Sequence, residues 1–185
     1  MIRETIVTSL SSAGRVHLAP LGLIAEGDDW IIAPFSPSTT LDNLRAVPFA
    51  VANHTDDVRV FAGCLTGRKD WPITGSHQVP VPRLLAALAH WELAVERVVE
   101  HELRPRFHCR IVHCANHGGF AGFNRAQAAV IEAAILVSRK HRLPRDKIDR
   151  EMSYLEIALS KTAGPVEREA WDWLQQELGR DGAKE

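Results

Sequence analysis

Pro34-Phe35-Ser36-Pro37-Ser38-Thr39-Thr40-Leu41-Asp42-Asn43-Leu44 closes a strand and opens a helix. Phe35 ends an apolar run that begins at Trp30, two prolines forbid further ladder pairing, and a hydroxyl cluster then stands where a helix start needs acceptors. Such a start also offers unpaired backbone N–H groups at the positive end of the helix dipole, surrounded by three side-chain donors, which suits a phosphate monoester. Ordinary capping by Ser38 or Thr39, with Asp42 in the first turn, accounts for the same residues. Asp42 opposes an anion unless its side chain points away. Both readings stand at this point.

On either side of this stretch the chain reads mostly as strands. Ile2 to Ser9 alternates, Val16 to Ala25 follows a Ser12-Ala13-Gly14 turn, and Trp30 to Phe35 follows Gly27-Asp28-Asp29, so these three predict a meander. Phe49 to Asn53 is a short apolar strand. A longer one opens with Trp91-Leu93-Val95 and runs to about Glu102, and Arg104-Pro105-Arg106 turns it into Phe107-Cys109-Ile111-His113, the second arm of a long hairpin. Short helices are expected near Thr40 to Ala46 and Asp56 to Leu65.

After Phe123 the apolar period becomes helical. Asn124 is a good N-cap for a stripe of Ala126, Ala129, Val130, Ala133 and Val137. Lys147 to Thr162 predicts a second helix with Ile148, Met152, Leu155 and Leu159 on one face, stopped by Gly164-Pro165, and Val166 to Leu178 a third with Trp171, Trp173 and Leu174. Gly179 to Glu185 is expected to fray. The expected organisation is an antiparallel, barrel-like domain over 1–123 with a helical segment over 124–185 packed on it.

The charge balance narrows the function. Twenty-two Lys+Arg against 23 Asp+Glu leave a net charge of −1, which lacks the electrostatic footprint of a nucleic-acid binder. Three cysteines, Cys64, Cys109 and Cys114, are too few for a secreted disulfide framework. The N-terminus has neither a basic head nor a continuous apolar stretch, and the most apolar segment, Ala126 to Val137, is interrupted by Glu132, so neither a signal peptide nor a membrane span is expected. The expectation is a reduced, cytoplasmic protein, in which the formal glycosylation triplet Asn53-His54-Thr55 is never presented for modification.

A second segment bears on ligand binding. Arg15-Val16-His17-Leu18-Ala19-Pro20-Leu21-Gly22 is a strand in which Pro20 frees the backbone from the ladder, so main-chain groups can face a planar heterocycle, although Pro20 also suits a plain edge or bulge. In order along the chain, His17-Leu18-Ala19-Pro20, Ser38-Thr39-Thr40, Thr40-Leu41-Asp42-Asn43-Leu44 and Phe49-Ala50-Val51-Ala52-Asn53 resemble the FMN-binding split β-barrel of the flavin reductase and pyridoxamine-phosphate-oxidase-like superfamily. Glu4 to Thr8, Ala19 to Gly22, Pro34 to Leu44, Asn53 to Val58 and Gly122 to Ile135 are similar, more narrowly, to a small archaeal and methylotroph-type family known as a domain of unknown function.

That resemblance implies an α+β protein, an antiparallel split β-barrel followed by a C-terminal three-helix segment, with FMN at a homodimer interface. It implies a phosphate held near Ser38, Thr39, Thr40 and Asn43, and an isoalloxazine lying along Pro20-Leu21 and Asn53. His17 stands where flavin reductases often carry Asn, which puts that side-chain contact in doubt. Arg125, at the start of the long helix, could reach the phosphate and supply positive charge, or stand free in solvent. The chemistry then belongs to the flavin, so no catalytic dyad is required, and none is found: there is no G-x-S-x-G and no cysteine beside an evident base. The implied function is an FMN-dependent oxidoreductase acting on a small molecule, with a link to pterin-dependent one-carbon metabolism. The alternative is a non-catalytic FMN-binding carrier, sensor or protein-interaction module.

Other constellations carry less. Gly118-Gly119-Phe120-Ala121-Gly122 lacks the first glycine of a dinucleotide fingerprint, and helices rather than a parallel strand follow it. His108, Cys109, His113, Cys114 and His117 are the richest ligand cluster. Strand alternation puts Cys109 and His113 on one face and His108 and Cys114 on the other, so no metal site is expected there. Asp56 and Asp57 read as first-turn carboxylates with Thr55 as cap, and Trp71, Trp91, Trp171 and Trp173 as packing residues.

Overall fold

The computed structural model describes residues 1–179; residues 180–185, most of the stretch expected to fray, lie outside the described residues. The chain divides into two compact units, one of Met1–Thr55 with Trp71–Phe120, the other of Asp56–Asp70 with the chain from Ala121 onward.

The first unit contains β1 (Ile2–Leu10), β2 (Val16–Glu26), β3 (Asp29–Ile32), α1 (Thr39–Ala46), β4 (Phe49–His54), β5 (Ile73–Thr74), β6 (Arg83–Leu84), β7 (Ala89–Val99) and β8 (Arg106–Asn116). Six antiparallel strands close a barrel in the order β1-β2-β3-β8-β7-β4, and β5 and β6 form a separate two-stranded ribbon that the sequence did not signal. Gly14 and Gly27 take φ of 77° and 60° at the turns on either side of β2, left-handed backbone that a side chain would strain. The meander, the long hairpin and the α+β class stand as expected.

Directly opposed residues of an antiparallel pair share a face, so the register sorts inside from outside. Val7, Leu23, Ile32, Ala50, Ala52, Leu93, Phe107 and Cys109 fill the interior, together with Leu41 and Leu44 of α1. On the outer face one row runs Pro20–Ile6–Asn53–His90–Ala115 across β2, β1, β4, β7 and β8, and the next runs Leu18–Thr8–Val51–Glu92–His113. Val79 and Val81, from the excursion between β5 and β6, pack on Val51 from outside. Ile6 and Thr8 are also buried on the outward side of β1, where the Asn53 amide bonds the Ile6 carbonyl and the Thr8 hydroxyl.

The β7–β8 ladder shifts register twice. Val95 opposes Cys109 while Arg97 opposes His108, and Leu93 opposes Ile111 while Glu92 opposes His113, so Glu96 and Val112 are each one residue too many for a regular ladder. The extra Val112 corrects the alternation expected for β8. Cys109 faces the interior, whereas His113 stands outside with His108.

A polar cluster ties the barrel together beside the first shift. Asp29 Oδ2 accepts from Arg97 Nη2 at 3.2 Å and lies 2.8 Å from His108 Nδ1. The His108 hydrogen bond, helped by Arg97 and opposed by burial, holds the Asp29 carboxyl below the usual carboxylate range. A depressed carboxylate contributes stability above its unfolded pKa of about 4 and loses it as pH falls through the folded value. Asp29→Asn is therefore expected to flatten the acid limb of the stability curve: urea midpoints of the two proteins differ at pH 7 and draw together as pH falls through the carboxylate range, and a difference that does not shrink on acidification refutes the assignment.

The second unit contains α2 (Val58–Leu65), α3 (Arg125–Ser138), α4 (Arg145–Thr162) and α5 (Pro165–Gly179), with Val58, Ala62, Val130, Ala133, Ile148, Trp171 and Leu174 in its core. Asn124 caps α3 as expected, its Oδ1 accepting from Ala126 N at 2.8 Å. The cap of α2 is Asp57 rather than Thr55: Asp57 Oδ1 accepts from Arg59 N at 3.1 Å, while the Thr55 hydroxyl donates to the Ala86 carbonyl. No described helix is long and apolar enough to cross a membrane.

Candidate functional site

The structure assigns one of the α1 hydroxyls to capping. Ser38 is the N-cap, its Oγ accepting from Leu41 N at 3.3 Å, and its own proton remains available for donation. Thr39 is exposed and Thr40 buried, so the three hydroxyls are not equivalent donors. Asp42 is exposed, and Asn43 is buried with its Nδ2 donating to Ser9 Oγ at 3.0 Å, which anchors the helix to β1 rather than reaching outward. The backbone N–H groups of Thr39 and Thr40 precede the helical ladder.

The loop ahead of α1 is clamped by Arg104, from the Arg104-Pro105-Arg106 turn. Arg104 donates from Nε and Nη2 to the Ala33 carbonyl, at 3.1 and 2.8 Å, and its guanidinium carbon lies 4.6 Å from the centre of the Phe35 ring. Ser36 N donates to the Leu103 carbonyl at 2.9 Å. A cation thus sits against the loop that leads into the helix.

The residues expected under a heterocycle do not share one surface. His17 opposes Ser9 and Leu21 opposes Thr5, on the interior side with Leu23, whereas Pro20 opposes Ile6 on the outer face. β2 is half-buried along nearly its whole length. Asn53 lies in the same outer row as Pro20 but is fully buried. Its amide donates to the Ile6 carbonyl and the Thr8 hydroxyl, both at 2.8 Å, and its oxygen accepts from Leu84 N at 2.7 Å. Asn53 is a staple between β1, β4 and β6. Arg125 belongs to the second unit, exposed on the first turn of α3, where it lines a cavity of about 470 Å³ with Asp56, Phe123, Asn124 and Gln127.

The most concentrated polar chemistry lies further along the outer rows, on residues brought together by strand pairing. Glu92 is fully buried, its carboxylate accepting from the backbone N–H groups of His77 (2.6 Å), Gln78 (2.7 Å) and Val79 (3.0 Å). His90 Nε2 lies 3.1 Å from Glu92 Oε1, and His90 Nδ1 lies 2.9 Å from His117 Nε2. His77 stacks on His113 with ring centres 4.7 Å apart. Burial pushes the Glu92 carboxyl up, but the N–H groups of His77, Gln78 and Val79 and the His90 ring outweigh it and hold it below its ordinary value. Burial, with Arg83 and His90 nearby, holds His117 below the usual imidazole range. The available signal was His90-Trp91-Glu92, two polar residues on one strand face, but their partners are set by the register of the hairpin. Burial also pushes the Cys64 thiol up to about 11 and Cys109 up to about 12, which removes both as thiolate nucleophiles.

The family models divide the chain near residue 120, and the N-terminal one also spans Asp56–Asp70, which belongs to the second unit. A model described as the N-terminal domain of a protein of unknown function (DUF447) matches residues 3–117, and a second DUF447 model matches residues 124–176. No curated protein matches the chain. An FMN-bound DUF447 protein from Methanosarcina mazei superposes with a TM-score of 0.83 over 95% of this chain and 94% of that one, at 17% identity. A 2-nitrobenzoate 2-nitroreductase from Pseudomonas fluorescens gives 0.53 over 62% of this chain and 64% of its own, at 23% identity. An FMN-binding protein from Thermus thermophilus gives 0.52 over 61% and 69%, at 18% identity.

Proposed function

We propose that the chain, which belongs to the DUF447 family, is an FMN-binding flavoprotein that works as a homodimeric, flavin-reductase-like oxidoreductase on a small molecule. The observation that carries this reading is the start of α1, set on a barrel whose structural neighbours include FMN-binding proteins. Its residues fit a phosphate monoester. Two N–H groups precede the ladder, Thr39 is exposed, the Ser38 hydroxyl keeps a proton to donate, and the Arg104 guanidinium adds a cation beside the loop.

FMN, when bound, supplies hydride and one-electron transfer, so the chain's own work is binding and exposure of one ring face. The outer surface of β2 around Leu18, Pro20 and Gly22 is half-exposed and apolar, and Pro20 removes a ladder N–H there, which suits the flat side of a heterocycle. A second copy of the chain over this strand would exclude water from the ring. A reduced pterin, implied by the family resemblance, is one planar substrate such a cleft would take.

The test is the visible spectrum of freshly purified protein, followed by anaerobic addition of NADH or NADPH. Flavin bands that bleach with the donor and return with an acceptor are expected, from a particle that light scattering sizes as a dimer. A colourless protein that takes up no FMN on titration overturns the proposal. Bound flavin that stays oxidised with both donors overturns the turnover half of it.

A further inference from the structure

We infer that His90, Glu92 and His113 form a binding site for one divalent transition-metal ion of the zinc or iron(II) class, on the outer face of β7 and β8. Among the described residues this is the one place where three such side chains converge, their ligand atoms all within 4.8 Å of one another. Two imidazoles and one carboxylate are a ligand set for such an ion, and three protein ligands leave a coordination position open to water or a small-molecule oxygen.

The surroundings are arranged as outer-shell support. An ionised carboxylate has about four lone-pair positions. Three on Glu92 take backbone N–H groups from the 77–79 loop, and the remaining one is directed to the side where His90 Nε2 and His113 lie. Burying a carboxylate costs free energy unless its hydrogen bonds are made, and here a loop is dedicated to making them. His90 holds its second nitrogen 2.9 Å from His117, the partner that fixes the tautomer of a metal-bound imidazole. Without metal, a proton on His90 Nε2 fills the 3.1 Å gap to Glu92 and His90 Nδ1 accepts from His117. With metal, His90 carries its proton on Nδ1 and donates it to His117 Nε2, whose own proton moves to its other nitrogen. The ion takes the place of a hydrogen-bond proton. The resulting site carries a charge of +1.

The sequence offered a different group, His108 to His117 on one strand, and its alternation argued against a metal. The extra Val112 and the pairing with β7 assemble a ligand set that no single strand contains.

The test uses the full chain, stripped with chelator and titrated with Zn²⁺ by calorimetry and with Co²⁺ by visible spectroscopy, in the absence of flavin. One ion per chain at micromolar affinity or tighter, and Co²⁺ d–d bands of a low-coordinate site, are expected. His113 is half-exposed, so His113→Ala is expected to fold, with an unchanged circular dichroism spectrum, and to weaken Zn²⁺ binding by about 100-fold. His117→Ala weakens it by about 10-fold through the lost outer contact, and His141→Ala, at an exposed histidine of the second unit, leaves it unchanged. Absence of stoichiometric binding, or binding that survives His113→Ala, overturns the inference. Because flavin is absent throughout, failure here is distinct from failure of the flavoprotein reading.

Discussion

Replacing Thr39 by aspartate is expected to leave the protein folded and to lower its affinity for FMN by about 100-fold, while riboflavin binding changes little. The argument is one of sign. Thr39 is the first residue of α1, exposed, and an acidic side chain in a first turn complements the helix dipole by about 0.3–1 kcal/mol. In the proposed site the same charge faces a phosphate dianion. At about 4 Å and an effective dielectric near 20, two like unit charges repel by about 4 kcal/mol, and exposure screens part of this, leaving about 3 kcal/mol, or roughly 100-fold. Fluorescence titrations of both flavins, beside a thermal melt, check it. Equal losses for FMN and riboflavin, or none for either, remove the phosphate from α1.

Asn53→Ala is expected to do the reverse, destabilising the barrel while sparing the affinity of the folded fraction. The substitution leaves Leu84 N, the Ile6 carbonyl and the Thr8 hydroxyl without their partner in a buried setting, at a cost of about 3 kcal/mol. For a chain of this length that lowers the melting temperature by about 6–12 °C. FMN affinity measured well below the melt is expected to stay within about twofold of the parent. A large affinity loss without a lower melting temperature would restore Asn53 as a contact for the ring.

Local signals in the sequence carried much of the fold. Gly14 and Gly27 marked the turns of the meander, Asn124 marked the start of α3, and the apolar stripe from Ala126 to Val137 needed no partner to be recognised. The start of α1 was legible for the same reason, since a cap is read within four residues. Parity along β2 was also available: His17 and Pro20 are an odd number of positions apart and so direct their side chains to opposite faces of the strand. What stayed hidden depends on contacts distant in sequence. Arg104 reaches Ala33 across 71 positions, and Glu92 is held by a loop 13 to 15 residues upstream that shows no strand or helix pattern. The two-stranded ribbon of β5 and β6 has only two residues in each arm, too few for a period to show.

Val112 has a bearing on how relatives of this chain should be aligned. The imidazole at 113 reaches the outer wall because the backbone spends one surplus step between Ile111 and itself. In a homologue whose ladder runs regularly, the ring meeting the same carboxylate must be encoded immediately after the isoleucine equivalent. An ungapped alignment would therefore join His113 to a residue on the opposite side of the wall, and a one-residue gap opposite Val112 keeps the shared side chains in one column.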